Sequence, residues 1–278
     1  MNKEMEKLLE TPIINKIDDY TPQELEQFRC DNYNNTIGTL NENDGIECDI
    51  CKNKGLIGIV RFDEFYGVYE FNTKTCKCFR KRQLVHIARK NGFDELIKLR
   101  AKDYKRNYDW QKNNYAKMYK YCCEEKESNK WFVAVGQVGS GKTMIASICA
   151  NNILYNTNRE IFYINWLVFI NKIKRDLAND NISEVNDSLD HLKNVDVLFL
   201  DDVLKKYVET DLKYIYEIIN YRYTNNLKTI ITSEYSIDEL LNIDQATFSR
   251  MVQRANGYII DETKDKSKNI RLSELNID

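Results

Sequence analysis

Two hydrophobic rhythms divide the chain. From Trp131 onward, short apolar runs alternate with longer amphipathic stretches. The runs Trp131-Phe-Val-Ala-Val135, Glu160–Ile164, Val195–Leu200, Lys228–Thr232 and Gly257–Asp261 have the length and β-branched content of buried strands. Between them, Lys142–Tyr155, Trp166–Ala178, Glu209–Asn225 and Thr247–Ala255 have helical composition, and Ser236-Ile-Asp-Glu239 is a capping box that opens a short helix. Such alternation predicts an α/β fold, a parallel sheet with helices on both faces. Upstream the pattern changes. Residues 1–30 are expected to be helical in two pieces, the second announced by the capping box Thr21-Pro22-Gln23-Glu24 with Leu25 and Phe28 at helical spacing. Asp31–Gly45 is rich in Asn, Asp and Thr and is expected to be a loop. Leu56–Val60 and Phe65–Phe71 have the alternation and aromatics of a β-hairpin. Phe79–Asn129 carries helical periodicity at Leu84, Ile87 and Ala88 and again at Leu96, Leu99 and Tyr104, with Gly92 marking a break. These shifts divide the chain into an N-terminal region, 1–78, a basic helical linker, 79–130, and an α/β domain, 131–278.

The first strand of the α/β domain leads into Gly136-Gln137-Val138-Gly139-Ser140-Gly141-Lys142-Thr143, which opens a helix at Met144. Strand, glycine-rich turn and helix is the context of a phosphate-binding loop. Its glycines let successive backbone N–H groups face phosphate oxygens, and the helix N-terminus adds partial positive charge. Gly136, Val138, Gly139, Ser140, Gly141 and Met144 would surround a nucleotide's phosphates, Lys142 would reach the β/γ-phosphates, and the Thr143 hydroxyl would hold Mg²⁺. Asp201 ends the third strand, where a carboxylate can share the Mg²⁺ shell. Asp202, the next residue, is the candidate base that orients the attacking water. Aspartate is one methylene shorter than glutamate, so slow intrinsic turnover of ATP is expected.

Eight cysteines with no secretory leader point to metal or free thiols in a reducing compartment, and the chain is expected to be cytoplasmic. Cys48-Asp-Ile-Cys51 and Cys76-Lys-Cys78 flank the predicted hairpin, the arrangement of a zinc ribbon with four thiolates around one structural Zn²⁺. Cys30, Cys122, Cys123 and Cys149 lack such spacing. The net charge of −2 conceals an asymmetry: 7 Lys/Arg against 15 Asp/Glu in residues 1–73, 17 against 7 in 74–130, and 17 against 21 in 131–278. The basic middle could face nucleic acid or be a solvated helical segment. Lys172, Lys174 and Arg175 form a second possible phosphate-contacting group without base-reading character. The longest apolar run, Ile161–Ile170, is about half of a bilayer span, so no membrane partner is expected.

The phosphate loop, Val197-Leu-Phe-Leu-Asp201-Asp202, Lys228-Thr-Ile-Ile-Thr232-Ser233-Glu234 and Phe248-Ser249-Arg250-Met251 together resemble the DnaC/DnaI group of AAA+ helicase loaders. The cysteine segment ahead of them is similar to the zinc domain of DnaI-type loaders. The resemblance, over roughly residues 45–275, implies a lidless AAA+ ATPase that binds a ring-shaped, hexameric replicative helicase through its N-terminal region and places it on single-stranded DNA. It also puts Arg250 in the arginine-finger position, which implies a homo-oligomer in the ATP state, and Arg271 in the second sensor position. The family's polar sensor of the γ-phosphate, usually Asn, is replaced here by Glu234, which shifts that role to Thr232 or Ser233 or weakens it. Two further readings stay open. One is a nucleotide-switched adaptor with negligible hydrolysis; the other is a transposition-helper ATPase, although such helpers generally lack a zinc ribbon ahead of the core.

Overall fold

The computed structural model describes residues 20–262 and 264–273. The chain divides into two compact units at Gln83/Leu84, inside a helix. The first of the two expected N-terminal helical pieces lies outside the described residues.

In the smaller unit, helix α1 (Pro22–Asn35) starts at the Thr21/Glu24 capping box. It runs one turn into the stretch expected to be a loop, because its last residues have tertiary work to do. The Asn34 side chain accepts from the Gly58 N–H at 2.8 Å and donates to the Gly58 carbonyl at 3.1 Å. Tyr33 packs on Phe71 with ring centroids 5.4 Å apart. A short helix, α2 (Leu40–Asp44), follows and ends on left-handed Gly45. The hairpin forms as expected, with β1 (Leu56–Asp63) antiparallel to β2 (Val68–Thr75). The edge N–H of Phe71 is taken by Glu26 at 3.0 Å, so α1 supplies hydrogen bonds to a sheet of only two strands. Helix α3 (Cys78–Ala88) leaves the hairpin.

The larger unit is a five-stranded parallel sheet: β3 (Phe132–Gly136), β4 (Ile161–Asn165), β5 (Val197–Asp201), β6 (Lys228–Thr232) and β7 (Ile259–Glu262), in the spatial order β4-β5-β6-β3-β7. Every residue of β3, β5 and β6 is buried, as a sheet covered on both faces requires. Side chains segregate by the two-residue period. Val133, Val135, Leu198, Leu200 and Ile231 enter one core with α6 (Trp166–Ala178), α7 (Ile182–Asn194), α8 (Leu212–Thr224) and α10 (Gln245–Arg254). Phe132 and Phe199 point the other way, onto Tyr121 and onto Phe93 and Tyr163. Helices α5 (Lys142–Asn156) and α9 (Ile237–Ile243) complete the set, and the fold is the expected α/β arrangement of a parallel sheet with helices on both faces.

Two further differences from the expected elements have physical reasons. Helix α7 was not anticipated: its segment is rich in Asn, Asp and Ser, yet Val185, Leu189 and Leu192 bury one stripe of it. The segment expected to be a linker packs on the α/β sheet. Its helix α4 (Asp109–Glu124) lies against α5 and β7, with Lys117 donating to the Ile259 carbonyl at 2.8 Å. Fully buried Lys228 ties down the following turn, donating to the carbonyls of Glu125, Ser128 and Lys130 at 2.6, 3.0 and 3.2 Å.

Arg222 performs a similar task deeper in the core. Fully buried, it donates to the carbonyls of Leu192, Lys193, Val195 and Lys228 and to the Thr229 hydroxyl, all within 3.0 Å. Arg222→Met keeps much of the volume and strands these acceptors. It is expected to lower stability by about 3–5 kcal/mol, measured as a lower urea midpoint at unchanged slope. A loss under about 1 kcal/mol would show that water replaces the guanidinium.

Candidate functional site

The strand order brings the chemistry together. Because β6 lies between β5 and β3, the carboxyl ends of all three meet on one edge, where the loop after β3, Asp201 of β5 and Thr232 of β6 converge. The Asp201 side chain is buried and gathers three hydroxyls. Thr143 donates to Oδ1 at 2.9 Å, Thr232 to Oδ1 at 2.5 Å, and Tyr163 of β4 to Oδ2 at 3.0 Å. Burial raises the Asp201 carboxyl above its usual range, the Thr232 hydroxyl works against that, and neighbouring Asp202 adds to it. A divalent cation at the Thr143 hydroxyl would favour the ionised form.

The phosphate loop has little freedom. Gly136 sits at φ 96°, and a Cβ there would lie 2.0 Å from the Glu262 carbonyl oxygen, which also accepts from the Gln137 N–H at 3.0 Å. Gly139, at φ 77°, is pressed equally closely by the Asn269 side chain. Glu262 is itself held by Asn114 of α4 at 2.6 Å and by Lys268 at 2.7 Å. Ile270 N–H donates to the Gly139 carbonyl at 3.1 Å, which lays the short C-terminal helix α11 (Ile270–Ser273) on the loop. Lys142 donates to the carbonyls of Gly136 and Gln137 at 3.0 and 2.6 Å. Burial lowers its ammonium, and the carboxylates of Asp202 and Glu234 oppose that.

The resulting cleft, about 290 Å³, is lined by Val138, Gly139, Gly141, Lys142, Thr143, Met144, Asp202, Lys205, Glu234, Ile270 and Arg271. Most of the residues expected to bind nucleotide are therefore at one place, Arg271 included. Five expected residues do not line the cleft: Gly136 and Asp201, whose surroundings are given above, and Ser140, Ser233 and Arg250. Ser140 is buried with its hydroxyl on the Gln137 carbonyl at 2.9 Å. Ser233 is fully buried and donates to the Val203 carbonyl at 2.8 Å. Arg250 lies on α10, bonded to the Ala246 carbonyl and 5.9 Å from the Tyr223 ring, outside the lining of this cleft.

The profile of the bacterial DnaA ATPase domain matches residues 111–258, just over half of the chain. This chain belongs to that family. Membership places it among nucleotide-binding ATPases. It is 28% identical over 204 residues to the uncharacterized protein YqaM of Bacillus subtilis (strain 168), a match covering 68% of this chain and 63% of YqaM. It is 26% identical over 170 residues to the chromosomal replication initiator protein DnaA of Onion yellows phytoplasma (strain OY-M), covering 59% of this chain and 32% of that protein. The chain thus spans less than two thirds of the length of these relatives. In fold it is similar to the crystal structure of the DnaC helicase loader, at TM-score 0.51 and 21% identity over 60% of this chain and 99% of that one.

Within this DnaA-family cleft the sequence pattern left out Lys205 and Tyr163. Lys205 lies 3.0 Å from Asp202 Oδ2 and 2.8 Å from Glu234 Oε1, bridging two carboxylates. The Glu234 carboxylate beside a phosphate site is thereby matched by a cation. The spacing Asp202-Val-Leu-Lys205 was the available signal, but it says nothing of Glu234, which arrives from another strand. Tyr163 carried no signal. Of the group on α6, Lys172 pairs with Asp176 at 3.3 Å and Lys174 with buried Asp211 at 2.9 Å, so two of its three charges are matched within the fold.

In the smaller unit the sulfurs of Cys48, Cys51, Cys76 and Cys78 all lie within 4.8 Å of one another. Cys48–Cys76 and Cys51–Cys78 are 3.7 and 3.6 Å apart, against an edge of about 3.8 Å for a tetrahedron of about 2.3 Å Zn–S bonds. Burial pushes the Cys78 thiol up to about 12. Cys51 resists its own burial and is held at about 7 by the Gly55 N–H and the neighbouring thiols. Arg82 donates to Cys78 Sγ at 3.5 Å and pairs with Asp44 at 2.5 Å, an outer layer suited to thiolate ligands. The donor set fits Zn²⁺.

Lys142→Ala removes the ammonium held inside the phosphate loop and is expected to weaken ATP binding by at least about a hundredfold, read by titration of a fluorescent ATP analogue. Asp201→Asn should bind nucleotide but lose most of its Mg²⁺ dependence; undiminished ATP affinity in Lys142→Ala would remove the assignment of the cleft.

Proposed function

We propose that this protein is an ATP-dependent loader of a replicative, hexameric DNA helicase onto single-stranded DNA. The observation that carries the proposal is the pairing, in one chain, of an Asp201-centred nucleotide cleft with a separate unit built around four cysteines. The likeness of the ATPase fold to a DnaC helicase loader supports it. In this reading Zn²⁺ is structural, closing a unit that has a two-stranded sheet and little apolar core of its own. ATP and Mg²⁺ occupy the cleft, Asp202 faces the attacking water, and Arg271 reaches the phosphates from α11. Arg250, outside its own cleft, completes the site of a neighbouring copy, so the ATP form is a homo-oligomer.

A second reading, a nucleotide-switched adaptor with negligible hydrolysis, has one specific observation in its favour: Lys205 donates to Asp202 Oδ2 at 3.0 Å, so one of the two oxygens that could face a water is already occupied. Steady-state ATPase measured with and without a hexameric helicase and single-stranded DNA separates the two. The loader reading expects slow basal turnover that rises at least about tenfold with both partners and falls back in Arg250→Ala without loss of ATP binding. A protein that binds ATP, ignores both partners and turns over no faster would favour the adaptor.

Purified protein is expected to release about one zinc per chain to a chromogenic chelator, and Cys76→Ser with Cys78→Ser should abolish both the zinc and helicase capture. No recoverable zinc would end the structural-metal assignment.

A further inference from the structure

The turn after β5 is built to hold Lys205 over the cleft. Asp202, Leu204 and Lys206 all have positive φ, at 56°, 62° and 52°, an unusual concentration in residues other than glycine. The base of the turn is fastened to β6. Asp202 N–H donates to the Thr232 hydroxyl at 2.9 Å, Val203 N–H to the Thr232 carbonyl at 2.8 Å, and the Ser233 hydroxyl to the Val203 carbonyl at 2.8 Å. From this fixed base the Lys205 side chain, a third exposed, reaches the two carboxylates that border the phosphate end of the cleft. Lys142, Lys205, Asp202 and Glu234 then form one continuous lining. A bare carboxylate pair there would repel a terminal phosphate, whereas Lys205 between them cancels one of the two charges and Lys142 in the same lining matches the other.

Resting on the reading of this cleft as an ATP site, we propose that Lys205 is a positioning residue that discriminates triphosphate from diphosphate. A γ-phosphate draws the ammonium from the Asp202–Glu234 pair onto one of its own oxygens. That movement exposes Asp202 to water and leaves Glu234 as the mark of whether the terminal phosphate is present. A diphosphate ends short of Lys205 and leaves the bridge in place. Glu234, standing where a neutral sensor would be expected, and Lys205 then act as one charged device whose two halves depend on each other. A lysine serves better here than an arginine, since a compact ammonium on a flexible stem transfers between acceptors without keeping a planar two-pronged match.

The test compares affinities for a non-hydrolysable ATP analogue and for ADP in the full chain, with thermal melting to confirm that each variant is folded. Lys205→Ala is expected to weaken the ATP analogue by about tenfold or more and to change ADP by less than about twofold. Adding Glu234→Asn to Lys205→Ala should recover most of the lost ATP affinity, because it removes one of the exposed carboxylates. Equal loss for both nucleotides, or no recovery in the double variant, would reduce Lys205 to a brace of the fold and overturn the inference. Lys142→Ala is the control for the site itself. If Lys142→Ala abolishes binding while Lys205→Ala leaves the ATP/ADP ratio unchanged, this inference fails and the ATP site stands. If neither lysine affects either nucleotide, the ATP site fails with it.

Discussion

The Asp201 carboxylate is the constraint on which the ATPase unit depends. It is buried at the end of a fully apolar strand, where an ion is costly unless hydrogen bonds surround it. Three hydroxyls do so, from the phosphate-loop helix, from β6 and from β4. Each of those elements must therefore end at the same height on the sheet edge. The same bonds set the Thr143 hydroxyl beside a carboxylate, two oxygen donors of the type a Mg²⁺ ion takes. The order β4-β5-β6-β3-β7 makes that convergence possible, and the buried lysine and arginine behind the sheet keep its far end and the neighbouring turns in place.

The cleft is closed from directions that are distant in sequence. Asn114 of α4 grips Glu262, whose carbonyl leaves no room for a side chain at Gly136, and the 266–273 segment returns to the loop through Ile270 and Asn269. The segment ahead of β3 thus braces the strand end against which the phosphate loop packs, as well as being a connection. Among the described residues, no helix is long and apolar enough to cross a membrane. The smaller unit solves a different problem. Its two-stranded sheet has few apolar residues to bury, and it relies on side-chain hydrogen bonds from α1 and on a knot of four sulfurs.

Charge on the cleft wall is balanced residue by residue. Lys142 is buried against its own loop carbonyls, while Lys205 answers Asp202 and Glu234. A carboxylate in the position expected for a neutral polar sensor looks unfavourable when considered alone. It becomes tolerable once the lysine three residues beyond Asp202 is seen to reach it.

Local patterns were sufficient for much of this. The phosphate loop, the five strands, the hairpin and the paired cysteines each depend on neighbours in sequence, where periodicity, turn chemistry and short spacings have direct physical meaning. Helix α7 and the last turn of α1 were harder, because their polar composition favours loops and only burial of Val185, Leu189 and Leu192, or the grip of Asn34 on Gly58, makes them helical. Contacts set by strand order had no sequence signature at all. Tyr163 reaches Asp201 because β4 pairs with β5, Lys205 reaches Glu234 because β6 lies next to β5, and Ser233 turns inward because Val203 needs a donor. Sequence alone therefore determined which groups could meet a phosphate or a metal. The tertiary structure decided which of them share a site, since a side chain's partners in a parallel sheet come from segments tens of residues away.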